Sequence, residues 1–198
     1  MKVIGLTGGI GAGKSTVSDY LTELGYVILD ADQMSREMTA KGSPVLTKIA
    51  DLFGEHLILS DGNLDRKGLA AIIFSDKEKK SQLEEITTKE VVRDIGRNIE
   101  TLKNSGECDI VFVDAPLLFE SGADQLTDFV WMVTAEDDIR IARVMNRDGA
   151  SREEVLQRIA NQMSNEEKIR RSQEVIDNSK GKEDLYQQIE DLLRKYGK

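Results

Sequence analysis

The stretch GLTGGIGAGKST, residues Gly5 to Thr16, holds five glycines in twelve residues close to the start of the sequence. Gly8, Gly13, Lys14 and Ser15 match the spacing G-x-x-x-x-G-K-[ST], in which glycines let consecutive backbone N–H groups curl around phosphate oxygens. An apolar run precedes the motif and an amphipathic pattern follows it, as expected for a strand, a phosphate loop and a helix whose N-terminus attracts anions. The stretch therefore predicts a site for a nucleoside triphosphate.

The motif assigns a part to each residue of the loop. Lys14 would reach the β- and γ-phosphates, and the Ser15 hydroxyl would bind Mg²⁺. The remaining candidates for nucleotide binding act through their backbone: Gly9, Gly11, Ala12, Gly13 and Thr16.

Short apolar runs rich in Val and Ile, without strict alternation, predict parallel strands covered on both faces. There are five such runs: Val3–Leu6, Tyr26–Leu29, Ile110–Val113, Phe129–Val133 and Val175–Ile176. Helical patterns separate them, such as Ser15–Leu24, which stops at Gly25. This alternation predicts an α/β fold with a five-stranded parallel sheet.

Residues 43–107 interrupt the alternation, because they contain helical patterns and no convincing strand. The patterns are Pro44–Phe53, Asp65–Phe74 and Lys77–Lys103. We predict a core formed by residues 1–42 and 108–198 and a helical, substrate-binding insertion at 43–107. The alternative is that these helices simply pack on the sheet.

Composition excludes several classes of protein. The net charge is −9, which disfavours broad binding to nucleic acid or to an acidic membrane surface. No apolar run approaches the roughly 18 residues that a membrane span needs. Cys108 is the only cysteine and His56 the only histidine, so a disulfide or a cysteine or multi-histidine metal cluster is excluded. We expect a cytoplasmic protein that binds a small molecule, with no obligate protein partner.

Two aspartates follow predicted strands, where ligands bind in open α/β sheets. The segment LDAD places Asp32 after the second strand, and VFVDAP places Asp114 at the end of the third. Phosphoryl transfer uses one carboxylate to accept the proton of the attacking hydroxyl and another near Mg²⁺. Asp32 is the candidate base and Asp114 the candidate for the metal shell, and the alternative for both is a capping or turn role.

Three arginines share one face of a predicted helix in DDIRIARVMNRDG. Arg143 and Arg147 are assigned to a helical lid at about residues 138–165 that closes over phosphates, and Arg143 is a catalytic candidate. Arg140 is assigned to a solvated face, as the partner of Glu136 four residues earlier.

Taken together, these segments resemble the dephospho-CoA kinase family, which uses ATP to phosphorylate the 3′-hydroxyl of dephospho-coenzyme A in the last step of coenzyme A synthesis. The resemblance covers nearly the whole chain, and its ordered set of motifs is far more specific than the phosphate loop alone. The matching stretches are GLTGGIGAGKST, LDADQMSRE, KGSPVLTKIADLFG, DGNLDRKGLAAIIF, APLLFESG and VIDNS.

The resemblance implies a P-loop kinase core, a helical CoA domain and a lid, with ATP and Mg²⁺ as cofactors. It implies that Asp32 activates the acceptor hydroxyl and that Arg36 contacts the substrate, as would Leu117 and Glu120 of APLLFESG. Asn178 would flank the adenine or serve as a turn residue. In one departure, Thr87 and Thr88 stand where the family commonly has His-Pro, which puts in doubt a substrate contact or a helix break there.

Two other functions stay open at this point. One is a nucleoside or nucleotide kinase with a different acceptor, and the other is a non-catalytic protein that binds partners when ATP is bound. Asp32 and the lid arginines favour an enzyme.

Overall fold

The computed structural model describes residues 1–197, with the backbone alone at Ser75. Within these residues the chain forms five strands and nine α-helices, as an α/β fold requires. In chain order they are β1 Lys2–Gly8, α1 Lys14–Glu23, β2 Val27–Asp30, α2 Ala31–Glu37, α3 Pro44–Phe53, α4 Arg66–Ser75, α5 Lys77–Ser105, β3 Ile110–Asp114, β4 Phe129–Thr134, α6 Asp137–Asp148, α7 Arg152–Ala160, α8 Asn165–Arg171, β5 Glu174–Asp177 and α9 Lys182–Tyr196. Short 3₁₀ helices lie at Glu55–Leu57 and Ala123–Leu126.

The strands form one parallel sheet in the order β2-β3-β1-β4-β5, which confirms the predicted fold class. The register sets Leu6 of β1 beside Asp114 of β3 and Gly8 beside Val133 of β4. The phosphate loop therefore follows the central strand β1, at the carboxyl end of the sheet, where the neighbouring strands β3 and β4 also end.

The central strands are buried as expected, but the two edge strands are not. Every residue of β3 is buried, and Trp131 of β4 is fully buried, with its ring centroid 5.2 Å from that of Phe112. In contrast, β2 is half-buried along its length, and Val175 of β5 is 44% exposed. The prediction of strands covered on both faces is wrong for this pair: successive side chains of β5 point to opposite faces, and only Ile176 is buried in the core, while β2 is nowhere fully buried.

Within the described residues, the chain forms two compact units, 1–29 with 98–197, and 30–97. The second unit consists mainly of helices, with one isolated bridge between Ile58 and Leu64, and its bounds differ from those predicted for the insertion. The assignment of residues 43–107 to substrate binding stays a prediction. Within the described residues, no helix combines the length and apolar character that crossing a membrane requires.

The long helix α5 continues without a break through Thr87 and Thr88. The Thr87 hydroxyl donates a hydrogen bond to the carbonyl of Leu83, 2.8 Å away, which is the usual way a helical threonine satisfies its hydroxyl. No helix break exists at this departure from the family pattern.

The helix α9 contacts the edge strand β5 through a hydrogen bond between two titratable side chains, Tyr196 and Glu174. The Tyr196 hydroxyl donates to Glu174 Oε1 at 2.6 Å, and burial together with this bond raises the pKa of Tyr196 to about 12. A pKa above the unfolded value of 10.0 means that the stabilisation is complete below pH 10 and is lost as the pH rises towards 12.

We therefore expect the difference in unfolding free energy between the wild type and Tyr196→Phe to fall as the pH rises from about 10 to 12. Urea unfolding followed by tryptophan fluorescence measures it. A difference that stays constant over this range would contradict the assignment.

Candidate active site

The phosphate loop runs from Gly9 to Gly13, between β1 and α1. Gly11 and Gly13 have φ of +77° and +89°, which only glycine adopts readily. Gly13 is the N-cap of α1 and has no side chain to cap the helix, and the first turn carries no acidic residue. The helix N-terminus therefore offers its N–H groups and its positive dipole end to an anion.

The glycines are also required by packing against the chain itself. A Cβ at Gly8 would lie 2.9 Å from the carbonyl oxygen of Val133, and one at Gly9 would lie 2.6 Å from Arg140 Nη2. At Gly11 it would collide with the Arg140 backbone, and at Gly13 with the Asn178 amide. The sequence motif explains these glycines by the ligand alone, but the fold needs them as well.

Lys14 and Asp114 form an ion pair at the base of the loop. Asp114 is only 5% exposed, and its second oxygen accepts a hydrogen bond from the Ser18 hydroxyl at 2.5 Å. Both carboxylate oxygens thus bond to α1, and Ser15 on the same helix lies exposed. Ser18 was not identified from the sequence, although its position one turn after Lys14 places both on one face of the helix.

Arg140 corrects the sequence analysis. Its side chain is 3% exposed, Nε donates to the carbonyl of Ile10 at 3.0 Å, and Nη1 pairs with Asp137 at 2.7 Å. The assignment to a solvated face with Glu136 is wrong, because α6 lies against the phosphate loop and Arg140 points into that contact. Charge spacing along a helix does not reveal which face another segment covers.

The two arginines assigned to the lid lie in different environments. Arg143 Nη2 donates to the carbonyl of Asn178 at 3.0 Å, whereas its buried Nη1 has no hydrogen-bond partner among the described residues. This donor would lie 3.7 Å from a Cβ at Gly13, beside the N-terminus of α1. Arg147 pairs with both oxygens of Asp148, at 2.7 and 3.1 Å, and these bonds raise the pKa of Arg147. Its contact with phosphate stays a prediction.

Asn178 follows β5 and is buried against the phosphate loop. Its Nδ2 donates to the carbonyl of Ala12 at 2.9 Å, and its backbone N–H donates to the carbonyl of Thr134 at 2.7 Å. The side-chain amide of Asn178 therefore fixes the phosphate loop to the carboxyl end of β5. The predicted contact of Asn178 with adenine is not tested by this geometry.

The loop after β3 contains the other candidates from APLLFESG. Leu117 is 47% exposed, and its contact with the substrate stays a prediction. Glu120 instead uses its carboxylate within the chain: Oε1 accepts from the Met163 N–H at 3.0 Å and pairs with Lys168 at 3.1 Å. Lys168 is fully buried and was missed from the sequence, because a lysine in NEEKIRR has the appearance of a solvated charge.

Asp32 and Arg36 belong to the second unit. Asp32 lies exposed in the first turn of α2, and Arg36 lies one turn later on the same face. Asp30 is the N-cap and accepts from the Gln33 N–H at 2.9 Å. The capping role considered for Asp32 is therefore filled by Asp30.

Comparison with known proteins identifies the family. The family model described as dephospho-CoA kinase, CoaE, matches residues 2–184. The chain belongs to the dephospho-CoA kinase family. Dephospho-CoA kinases from Carboxydothermus hydrogenoformans and Geobacter sulfurreducens are 42% and 45% identical to it, over 99% and 98% of this chain and 95% and 98% of theirs. The crystal structure of TT1252 from Thermus thermophilus superimposes with a TM-score of 0.80 at 36% identity, covering 98% of this chain and 97% of that one.

As a dephospho-CoA kinase family member, the chain is an ATP-using kinase that acts on a small molecule. The site fits a polyphosphate in three respects: a helix N-terminus without a capping side chain, Lys14 beside it, and the buried, unpartnered donor of Arg143. Within the described part of the chain, no cluster of three or more His, Cys, Asp or Glu side chains is arranged to hold a metal.

Alanine variants of two glycines distinguish the effect of packing against the phosphate loop from the effect of backbone strain. Gly13→Ala and Gly25→Ala both place alanine at positive φ, at a cost of about 1–2 kcal/mol of stability each. A Cβ at Gly25 meets open space among the described residues, but at Gly13 it meets Asn178. We expect only Gly13→Ala to lose ATP affinity, by about tenfold or more, as measured by calorimetry. Equal ATP affinity in the two variants would contradict this interpretation.

Proposed function

We propose that this chain transfers the γ-phosphoryl group of ATP to the 3′-hydroxyl of dephospho-CoA in the cytoplasm, giving CoA and ADP. The observation that carries the proposal is the convergence of three positive groups at the phosphate loop: the α1 N-terminus, Lys14 and the unpartnered Arg143 Nη1. Developing charge on a transferred phosphoryl group is stabilised by donors placed in this way.

Lys14 would hold the β- and γ-phosphates, which requires its ammonium to exchange part of its contact with Asp114 for phosphate oxygens. Arg143 would bond a phosphate oxygen through Nη1, its Nη2 remaining on Asn178. Lys14 would thus replace one partner by another and Arg143 would gain one, so neither cation is left without a partner when the nucleotide binds.

Ser15 and Asp114 are the residues that would hold Mg²⁺. Ser15 is exposed at the start of α1 and would bind directly, whereas Asp114 would act through a metal-bound water, since both its oxygens already bond to Lys14 and Ser18. Mg²⁺ commonly keeps several waters and needs few protein ligands. When bound, the ion neutralises negative charge between the phosphates.

Asp32 would serve as the general base. The acceptor oxygen forms a bond to the γ-phosphorus as the bond from that phosphorus to the ADP oxygen breaks, and the hydroxyl proton passes to Asp32. Its exposed carboxylate is free of the capping bond, which Asp30 makes. Arg36, on the same face of α2, would bind the anionic substrate, with residues 43–107 forming the remainder of its site.

The product assay tests the function directly. Incubation of the protein with Mg²⁺, ATP and dephospho-CoA is expected to give CoA and ADP in equal amounts, measured by chromatography and mass spectrometry. Adenosine, shikimate and other hydroxyl acceptors are the matched comparison. Faster phosphorylation of another acceptor would replace the proposal by a different kinase, and ATP binding without any transfer would leave a binding protein.

Variants of two neighbouring aspartates test whether Asp32 is the general base. Asp32→Asn removes the proton acceptor, so we expect turnover to fall by on the order of 10²-fold or more while ATP affinity is kept. Asp30→Asn is the matched control, since asparagine caps helices as well as aspartate does and turnover is expected to stay near wild type. Near-normal turnover of Asp32→Asn would remove Asp32 as the base.

A further inference from the structure

Lys168 is a buried cation that the proposed chemistry does not use. It lies on α8, is fully buried, and donates to the carbonyl of Pro116 at 2.7 Å while pairing with Glu120 at 3.1 Å. A buried ammonium is costly unless it is both paired and hydrogen-bonded, and Lys168 is both. The position of α8 is therefore coupled to the loop after β3.

The Pro116 carbonyl and the Glu120 carboxylate, which both bond to Lys168, each accept a hydrogen bond from another segment of the chain. The Pro116 carbonyl also accepts from the hydroxyl of Thr7, the residue directly before Gly8, at 3.3 Å. Glu120 Oε1 also accepts from the N–H of Met163, at 3.0 Å. The end of β1, the loop after β3 and the junction between α7 and α8 thus meet around one ammonium group.

The same junction lies at the end of the predicted lid. Residues 161–164 join α7 to α8, and α8 begins at Asn165, whose Oδ1 lies too close to Gly9 to leave room for a Cβ there. A change in the Glu120–Lys168 pair therefore acts on the phosphate loop and on the lid end together.

We propose that Lys168 and Glu120 are positioning residues for phosphoryl transfer, which hold the α7–α8 junction against the loop after β3 and the phosphate-loop strand. The inference rests on the proposed function and gives Glu120 a part other than direct substrate binding. Lys168 is fully buried, and both residues act through the backbone that they hold. Loosening the junction lets water reach the nucleotide, so ADP forms without phosphorylation of the acceptor.

The test compares five variants with the wild type. Lys168→Met and Glu120→Ala each remove one partner, and Lys168→Met/Glu120→Ala removes both. Glu120→Gln keeps an oxygen that accepts from Met163 and Lys168. Arg170→Met is the matched control, a neighbouring cation on α8 whose side chain is 77% exposed. Urea unfolding shows that each variant is folded, and Glu120→Ala carries the test if Lys168→Met is not.

We expect kcat to fall by about 10- to 100-fold in both single variants, because small misplacements cost this much in transfer reactions. The double variant is expected to equal the single ones, since either change breaks the same unit. The ratio of ADP to CoA rises above one, and hydrogen exchange at the Met163 amide accelerates without any substrate present. Arg170→Met stays within about threefold of the wild type. Glu120→Gln keeps the hydrogen bonds but leaves the buried Lys168 ammonium without a charged partner, so its kcat falls, but by less than that of Glu120→Ala.

Other results overturn the inference. If Glu120→Ala raises only the KM for dephospho-CoA while Lys168→Met behaves as wild type, Glu120 is a substrate ligand. Additive losses with an ADP to CoA ratio of one indicate two independent structural effects. A wild type that makes no CoA refutes the proposed function, and an active wild type with unchanged Met163 exchange in the variants refutes the positioning role alone.

Discussion

The contact between the phosphate loop and the segments that cross it is the constraint on which the first unit depends. Arg140 and Asn178 occupy the space that side chains at Gly9, Gly11 and Gly13 would need, and each also bonds a carbonyl of the loop. The loop is therefore shaped by the protein before any nucleotide binds. Preorganised N–H groups stabilise charge without having to be ordered during the reaction.

The buried charges are arranged around this loop in pairs. Lys14 pairs with Asp114, Arg140 with Asp137, and Lys168 with Glu120. Each cation is partly or fully removed from water, and its carboxylate partner offsets part of the cost of burying the charge. The three cations differ in their other contacts: Lys14 lies beside the helix N-terminus, where the proposed function would place phosphate, whereas Arg140 and Lys168 also donate to backbone carbonyls.

The elements of the core could be predicted because their signals are local. Apolar runs marked all five strands, and Pro44–Phe53 was predicted with the bounds that the structure has. The predictions were wrong where the exposure of a side chain depends on segments that are distant in sequence. The edge strands were expected to be buried, and Arg140 was expected to be solvated, since neither sheet order nor helix packing is written in a short window of sequence.

The sequence by itself determined the strand, the phosphate loop and the helix that follows it, the charged side chains available to them and the resemblance to a kinase family. Only the tertiary structure decided which charged side chains are structural: Lys168 is buried, whereas Arg170, two residues away, is exposed. The physical reason is the separation along the sequence of the residues that decide each property. Backbone conformation follows from residues a few positions apart, whereas the carbonyl that Lys168 bonds lies 52 residues away in the chain.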